Sequence, residues 1–367
     1  MSGMWFHPFE IAFCGYSGSG KTTLVAALVR HLSLKFSIAC YKHGCHRFDI
    51  DREGKDSRIL KEAGAATVMI SDTEKKALIT SHGLVSSQLE RLAFSDFDLL
   101  FVEGLKEIPL PKLLLVDHPD RRIIELVRNG TVTNVAALVV PDDLDLYREF
   151  GVPVFHRDRV AEIAAFIETF QLERSSKNTP MHALVLAGGR SSRMGSDKAL
   201  IEYHTKNQLL HTAELLGQQC SKVFVSCREE QAAEYRQFGI PLITDSYLGI
   251  GPLGGLLSAQ RLYPDAAWVV AACDLPFLDE GTLRQLCQQR NPFRFATAFR
   301  HPQSGVMEPL LACYEPKSRS RLIQRHLAGN NSLSAFLEES RVKELTPPDG
   351  VALRNINNVE ERLSAKL

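Results

Sequence analysis

The 367-residue sequence has no surplus of charge of either sign, since 43 Lys and Arg side chains are balanced by 43 Asp and Glu. A protein held on nucleic acid by bulk positive charge is therefore disfavoured. The chain also has no apolar run long enough to span a bilayer. Its opening, Met1-Ser2-Gly3-Met4-Trp5-Phe6, has no basic segment ahead of a long apolar stretch, so no signal peptide is expected. Cysteine occurs eight times, dispersed and partly within strand-like runs such as Ile11-Ala12-Phe13-Cys14. That usage predicts buried, reduced thiols in a cytoplasmic protein and makes a disulfide framework improbable. Short-period repeats and low-complexity tracts are missing too, which sets solenoids aside.

What is present is an ordinary globular composition, 44% hydrophobic and 23% charged. The length exceeds what one core usually supports, so two domains are expected. Short β-type runs alternate with longer amphipathic segments, which predicts two open α/β sheets. In the first half the strands are expected at Ile11–Cys14, Ser37–His43, Thr67–Ile70, Leu99–Val102, Leu113–Val116 and Val135–Val140, with helices at Thr22–Leu34 and Asp158–Thr169. Residues 171–180 show no periodicity and end in proline, so they read as a polar linker. The expected division is a first domain at 1–172, a linker at 173–180 and a second domain at 181–367. Strands at His182–Ala187, Lys222–Ser226, Trp268–Ala272, Phe295–Ala298 and Leu310–Tyr314 continue the alternation.

Gly15-Tyr16-Ser17-Gly18-Ser19-Gly20-Lys21-Thr22 meets the G-x-x-x-x-G-K-[ST] pattern at every fixed position. An apolar strand precedes it and a helix follows, so successive backbone N–H groups are placed to cradle phosphate oxygens at a helix N-terminus. Lys21 is the candidate for the β- and γ-phosphates and the Thr22 hydroxyl for Mg²⁺. Gly15, Gly18, Ser19, Gly20 and Thr23 complete the loop set. Glu103, at the end of the run Leu99–Val102, is the candidate acid for orienting the magnesium or its water shell. His43, Cys45 and His46 raise the thought of zinc, but they lie too close together to face one ion easily, and no second ligand cluster follows. A polar loop is the preferred reading.

Gly15 to Thr22, Lys42-His43, Phe48–Ser57, Glu62-Ala63-Gly64-Ala65, Val102–Lys106 and Val154–Asp158 together resemble the molybdopterin-guanine dinucleotide biosynthesis adapter family over about residues 8–170. The resemblance implies a GTP-binding P-loop domain, a homodimer through that domain, at most weak GTPase activity, and an assisting role toward a nucleotide-attaching enzyme. Where relatives continue the Lys-His pair with Thr-His-His, this chain has Gly44-Cys45-His46.

In the second half, Leu186-Ala187-Gly188-Gly189 follows a strand and is succeeded by Arg193 and Lys198 without a Walker lysine. The glycines allow close backbone approach, while Arg193 and Lys198 offer positive charge to a triphosphate. This suits nucleotidyl transfer, in which leaving pyrophosphate must be stabilised. Asp245 and Asp274 each end an apolar run, at the sheet edge where ligands bind, and Gly251-Pro252-Leu253-Gly254-Gly255 forms a second close-approach loop. Asp274 is the natural magnesium ligand, since triphosphate oxygens fill most of such a site. Asp245 is suited to accept from guanine N1 and N2 or from a ribose hydroxyl.

The series Leu186–Gly189, Arg193-Met194, Asp197-Lys198, Asp245-Ser246, Gly251–Leu253, Cys273–Phe277 and Asn355-Ile356-Asn357 resembles the molybdenum cofactor guanylyltransferase family over about residues 180–367. The resemblance implies nucleotide contacts at Leu186, Ala187, Gly188, Lys198, Asp245 and Asp274, with Mg²⁺ on Asp274; Gly189 and Ser226 join this GTP set. Arg193, Lys198 and Asp274 form the catalytic set. Ser226 stands where the family often has asparagine, and Glu308 where it has histidine. Asn355 and Asn357 either face the cleft or serve as turn and N-cap residues.

The resulting expectation is an α/β protein with an N-terminal P-loop NTPase domain followed by a Rossmann-like nucleotidyltransferase domain. It is expected to transfer GMP from GTP to molybdopterin or Mo-molybdopterin, releasing pyrophosphate, with molybdenum-insertion proteins and molybdoenzyme chaperones as further partners. Three alternatives stand beside it: a cytidylyltransferase acting on molybdopterin, a sugar-1-phosphate nucleotidyltransferase, and a GTP-dependent cofactor-binding module without transferase activity. The sugar-phosphate reading is disfavoured because Arg190–Lys198 lacks the longer proline-bearing stretch typical of those enzymes.

Overall fold

The computed structural model describes residues 6–43, 54–80, 88–117, 122–188, 198–203 and 205–356. It divides into two compact units, Met1–Glu168 and Thr169–Leu367. In the first unit the strands β1 (Glu10–Cys14), β2 (Ile38–Lys42), β3 (Thr67–Ser71), β4 (Lys76–Thr80), β5 (Leu99–Glu103), β6 (Lys112–Leu115), β7 (Val135–Val140) and β8 (Val154–His156) alternate with helices. Six of them form one sheet in the order β2-β5-β1-β6-β7-β8, and each neighbouring pair is parallel. The central strands are uniformly apolar because both faces are covered: Ile11, Phe13, Leu100, Val102, Leu113 and Leu138 are buried. Lys112 is also fully buried, and its ammonium donates to the carbonyls of Leu110 at 2.9 Å and Thr133 at 3.0 Å. Burial lowers its pKa from the usual lysine value.

Two expectations change here. Thr67–Ile70 is a strand, but it pairs with β4 in a separate two-stranded antiparallel hairpin and not in the main sheet. The segment read as a non-periodic polar linker is helical as far as Asn178, within the helix Val160–Asn178. Its inward positions are polar: Gln171 and Ser175, four residues apart, are both buried, so an apolar period was not there to be read. Among the described cysteines Cys14, Cys227, Cys273 and Cys313 are buried free thiols, whereas Cys40 is exposed because β2 is an edge strand.

The second unit contains β9 (Met181–Leu186), β10 (Lys222–Cys227), β11 (Leu242–Thr244), β12 (Ala267–Ala272), β13 (Ala296–Arg300), β14 (Met307–Tyr314) and β15 (Val342–Leu345) in one sheet ordered β11-β10-β9-β12-β14-β13-β15. Strands β11, β10, β9 and β12 run parallel, and β14 is antiparallel to both of its neighbours. One face packs Leu209, Leu216, Leu283 and Leu286, and the other packs Leu253, Leu256, Leu257 and Phe336 around the buried Trp268. This is a doubly wound α/β unit. Its topological switch lies between β9 and β12, where the chain order reverses and a crevice opens at the strands' carboxyl ends. No helix among the described residues is long and apolar enough to cross a membrane.

Candidate functional site

In the first unit, β1 runs out at Cys14 into the glycine loop, and the helix Lys21–Leu32 begins directly behind it. Gly20 is its N-cap at φ 85°, a left-handed conformation that glycine adopts without steric cost. Gly15 is required by space, because a Cβ there would stand 2.6 Å from Ser19 Oγ and 2.9 Å from the Leu115 carbonyl. The ammonium of Lys21 donates to the loop carbonyls of Gly15 at 3.0 Å and Tyr16 at 2.6 Å, so it is braced against the loop.

The parallel register sets Glu103 beside this loop, with Phe13 paired to Glu103 on one side and Lys42 on the other. The Thr22 hydroxyl donates to both Glu103 oxygens, at 2.9 and 3.0 Å. Lys42 completes the group, 3.2 Å from the Glu103 carboxylate. Thr22, Glu103 and the loop thus come together as the sequence leads one to expect. Lys42 was read only within the Lys-His pair and not named as a site member; strand order brings it to Glu103. Gly18, Ser19 and Thr23 lie in the loop and first turn; Cys45 and His46 lie outside the described residues.

In the second unit four parallel strand ends converge. Register aligns Leu186 with Ser226 on β10 and with Ala272 on β12, while Cys227 aligns with Thr244 on β11. The residues just beyond, Ala187, Gly188, Asp245 and Asp274, border a cavity of about 950 Å³ together with Leu186 and Ser226. That size suits a nucleotide-scale ligand. The loop is pinned from behind, because the buried Tyr235 donates its hydroxyl proton to the Ala187 carbonyl at 3.3 Å. Asp274 is half-buried, and its backbone carbonyl accepts from the Ile356 amide at 3.0 Å.

Ser226 is 1% exposed and donates to Asp245 Oδ1 at 2.7 Å. Burial pushes the Asp245 carboxyl above the ordinary aspartate value, against the opposing pull of the Ser226 hydroxyl and Arg228. Arg228, Tyr247 and Leu310 also line the cavity and carried no sequence signal. Lys198 opens the 3-10 turn Lys198–Leu200, but its side chain, like Gly189 and Arg193, lies outside the described set. Asn355 is exposed in a loop where a strand-like segment was expected, and Asn357 lies outside the described residues. Glu308 is buried, accepting from the Leu310 amide at 2.8 Å and lying 2.9 Å from His301 Nε2.

The two sheets and their carboxyl edges define the class: a P-loop α/β unit followed by a doubly wound unit of nucleotidyltransferase type. Comparison with known proteins agrees. The family model for molybdopterin guanine dinucleotide synthesis protein B matches residues 10–140, and that for the MobA-like NTP transferase domain matches residues 183–345. A molybdopterin-guanine dinucleotide biosynthesis adapter protein of Haemophilus influenzae is 32% identical over 167 residues, 44% of this chain and 88% of that protein. A molybdenum cofactor guanylyltransferase of Cupriavidus taiwanensis is 30% identical over 184 residues, 48% of this chain and 92% of that protein. A molybdenum cofactor biosynthesis bifunctional protein of Synechocystis is 30% identical over 183 residues, covering 50% of this chain. The match spans about half, 53%, of that relative's length. The chain belongs to both families, the adapter family in its first unit and the guanylyltransferase family in its second.

Proposed function

We propose that this is a bifunctional molybdenum cofactor biosynthesis protein whose second unit transfers GMP from GTP to the terminal phosphate of molybdopterin. The supporting observation is the cavity where the Leu186-Ala187-Gly188 loop, the Ser226–Asp245 pair and Asp274 meet at the switch of a guanylyltransferase-family sheet. A phosphate oxygen of the acceptor attacks the α-phosphorus in line. The bond from that phosphorus to the bridging oxygen breaks, and pyrophosphate leaves. The nucleophile is already anionic, so the protein's task is alignment and charge neutralisation more than proton abstraction. Lys198 and Arg193 supply positive charge to the departing pyrophosphate, and Asp245 holds the nucleoside.

Mg²⁺ fits the chemistry of both sites. Asp274 offers a hard carboxylate oxygen at the cavity, and Thr22 with Glu103 offers a hydroxyl and a carboxylate within hydrogen-bond reach of each other. When bound, the ion supplies Lewis-acid charge to the phosphate oxygens. In the first unit, GTP is held by the backbone of Gly15 to Gly20 with Lys21 on its phosphates, in an adapter role within the cytoplasm.

The first unit also presents an apolar surface suited to self-association. Met69 and Leu78 are register partners across the β3–β4 hairpin and are 66% and 39% exposed, with Ile59 and Leu60 exposed on the helix Asp56–Glu62. Contiguous exposed apolar surface marks interaction sites, and the Met69–Leu78 pair is the candidate here. On this reading the unit forms a homodimer, and the double substitution Met69→Glu, Leu78→Glu is expected to shift the chain to monomer in sedimentation velocity, because it would set two carboxylates within a buried contact. An unchanged sedimentation coefficient would remove this surface from consideration.

The functional reading is tested by incubating the purified chain with molybdopterin, Mg²⁺ and each nucleoside triphosphate in turn, and identifying the product by mass spectrometry. The guanine dinucleotide with GTP is expected. Turnover with CTP alone would replace the assignment by cytidylyl transfer.

A further inference from the structure

We propose that Ser226 is a positioning residue for nucleoside recognition: its hydroxyl holds one oxygen of Asp245 so that the other is presented to the nucleoside over the glycine loop. The inference rests on the guanylyltransferase reading and deepens it by separating the residue that touches the ligand from the one that aims it. Ser226 is the next-to-last residue of β10 and is aligned with Leu186, yet at 1% exposure it offers almost no surface to a ligand. Its one hydroxyl proton is committed to Asp245 Oδ1 at 2.7 Å. Asp245 Oδ2 is turned the other way, 3.6 Å from where a Cβ on Gly188 would stand, which places it beside the Leu186-Ala187-Gly188 backbone.

The hydroxyl is itself clamped. The helix Pro252–Leu262 passes directly over it, and a Cβ on Gly255 would stand 2.3 Å from Ser226 Oγ and 2.9 Å from Leu186 Cδ2. Gly255 is therefore the gap into which the serine side chain fits. A carboxylate that loses a buried donor is left both less ionised and free to rotate, so the effect of losing Ser226 falls on binding rather than on the α-phosphorus. Among the described residues, Arg228 at the start of the following helix and the neighbouring Cys227 thiol are coupled electrostatically to Asp245; burial and the Asp245 charge push that thiol up to about 11.

The test uses the full chain, with molybdopterin saturating and GTP varied. Ser226→Ala is expected to raise KM for GTP about tenfold with kcat within about twofold, the loss typical of a hydrogen bond to a charged group. It is also expected to move the acid limb of kcat/KM for GTP to higher pH, because the donor that favours the ionised Asp245 has gone. Gly255→Ala should reproduce both changes by displacing the same hydroxyl. Wild-type KM and an unmoved acid limb in Ser226→Ala overturn the proposal, as does a fall confined to kcat. Calorimetric GTP titration of Ser226→Ala in a Lys21→Ala background reads the same site without turnover. Unchanged affinity there overturns the positioning role, whereas absence of dinucleotide from the wild-type chain overturns the functional reading.

Discussion

Asp274→Ala is expected to lower pyrophosphate release about 10³-fold or more, the scale seen when a principal group stabilising transition-state charge is removed. The side chain lies at the switch between β9 and β12, on the border of the cavity, and is the described carboxylate best placed to share a cation with triphosphate oxygens. One structural contact runs through the backbone: the carbonyl that accepts from the Ile356 amide is retained in the alanine variant. Folding should therefore persist, with a urea midpoint close to wild type, while a coupled pyrophosphate assay falls to background. Asp274→Asn keeps the shape and removes the charge, and it should be nearly as inactive. Turnover at the wild-type rate in either variant would mean that another group carries the metal.

Lys21→Ala is expected to remove one of two GTP-binding events per chain. A P-loop lysine acts as a point charge on the phosphates, and its loss commonly costs on the order of 10²-fold or more in affinity. Here the ammonium also ties the carbonyls of Gly15 and Tyr16, so the variant loses a loop brace together with the charge. Calorimetry should read a stoichiometry of about two for the wild type and one for the variant, since the second site uses a glycine loop with no Walker lysine. Guanylyl transfer by the variant should continue at close to the wild-type rate. A parallel loss of transfer would show that the two sites are coupled.

Much of this architecture was legible before any fold was seen. Buried parallel strands are continuous apolar runs, and β1, β5, β7, β9 and β12 stand out as such. The phosphate loop is equally visible, because its glycines and lysine are dictated by backbone approach to an anion at fixed local spacing. The harder elements were short, polar or edge-placed. Strands β4, β8 and β15 were not read as such, and the polar half of the helix Val160–Asn178 looked like a linker because Gln171 and Ser175 occupy its inward positions.

By itself, then, the amino-acid sequence determined that there are two α/β units, each opening on a phosphate-suited glycine loop, and which aspartates and lysines stand at the ends of apolar runs. These are matters of local periodicity and of residues a few positions apart. Tertiary structure alone decided which of those ends meet: β2 and β5 bring Lys42 to Glu103, β10 and β11 bring Ser226 to Asp245, and the glycine at 255 admits the hydroxyl between them. Strand order and the close packing of helix on sheet are non-local. No local window of sequence joins Lys42 to Glu103, 61 positions apart, or shows the steric gap at Gly255, and those are what turn a list of polar residues into two sites.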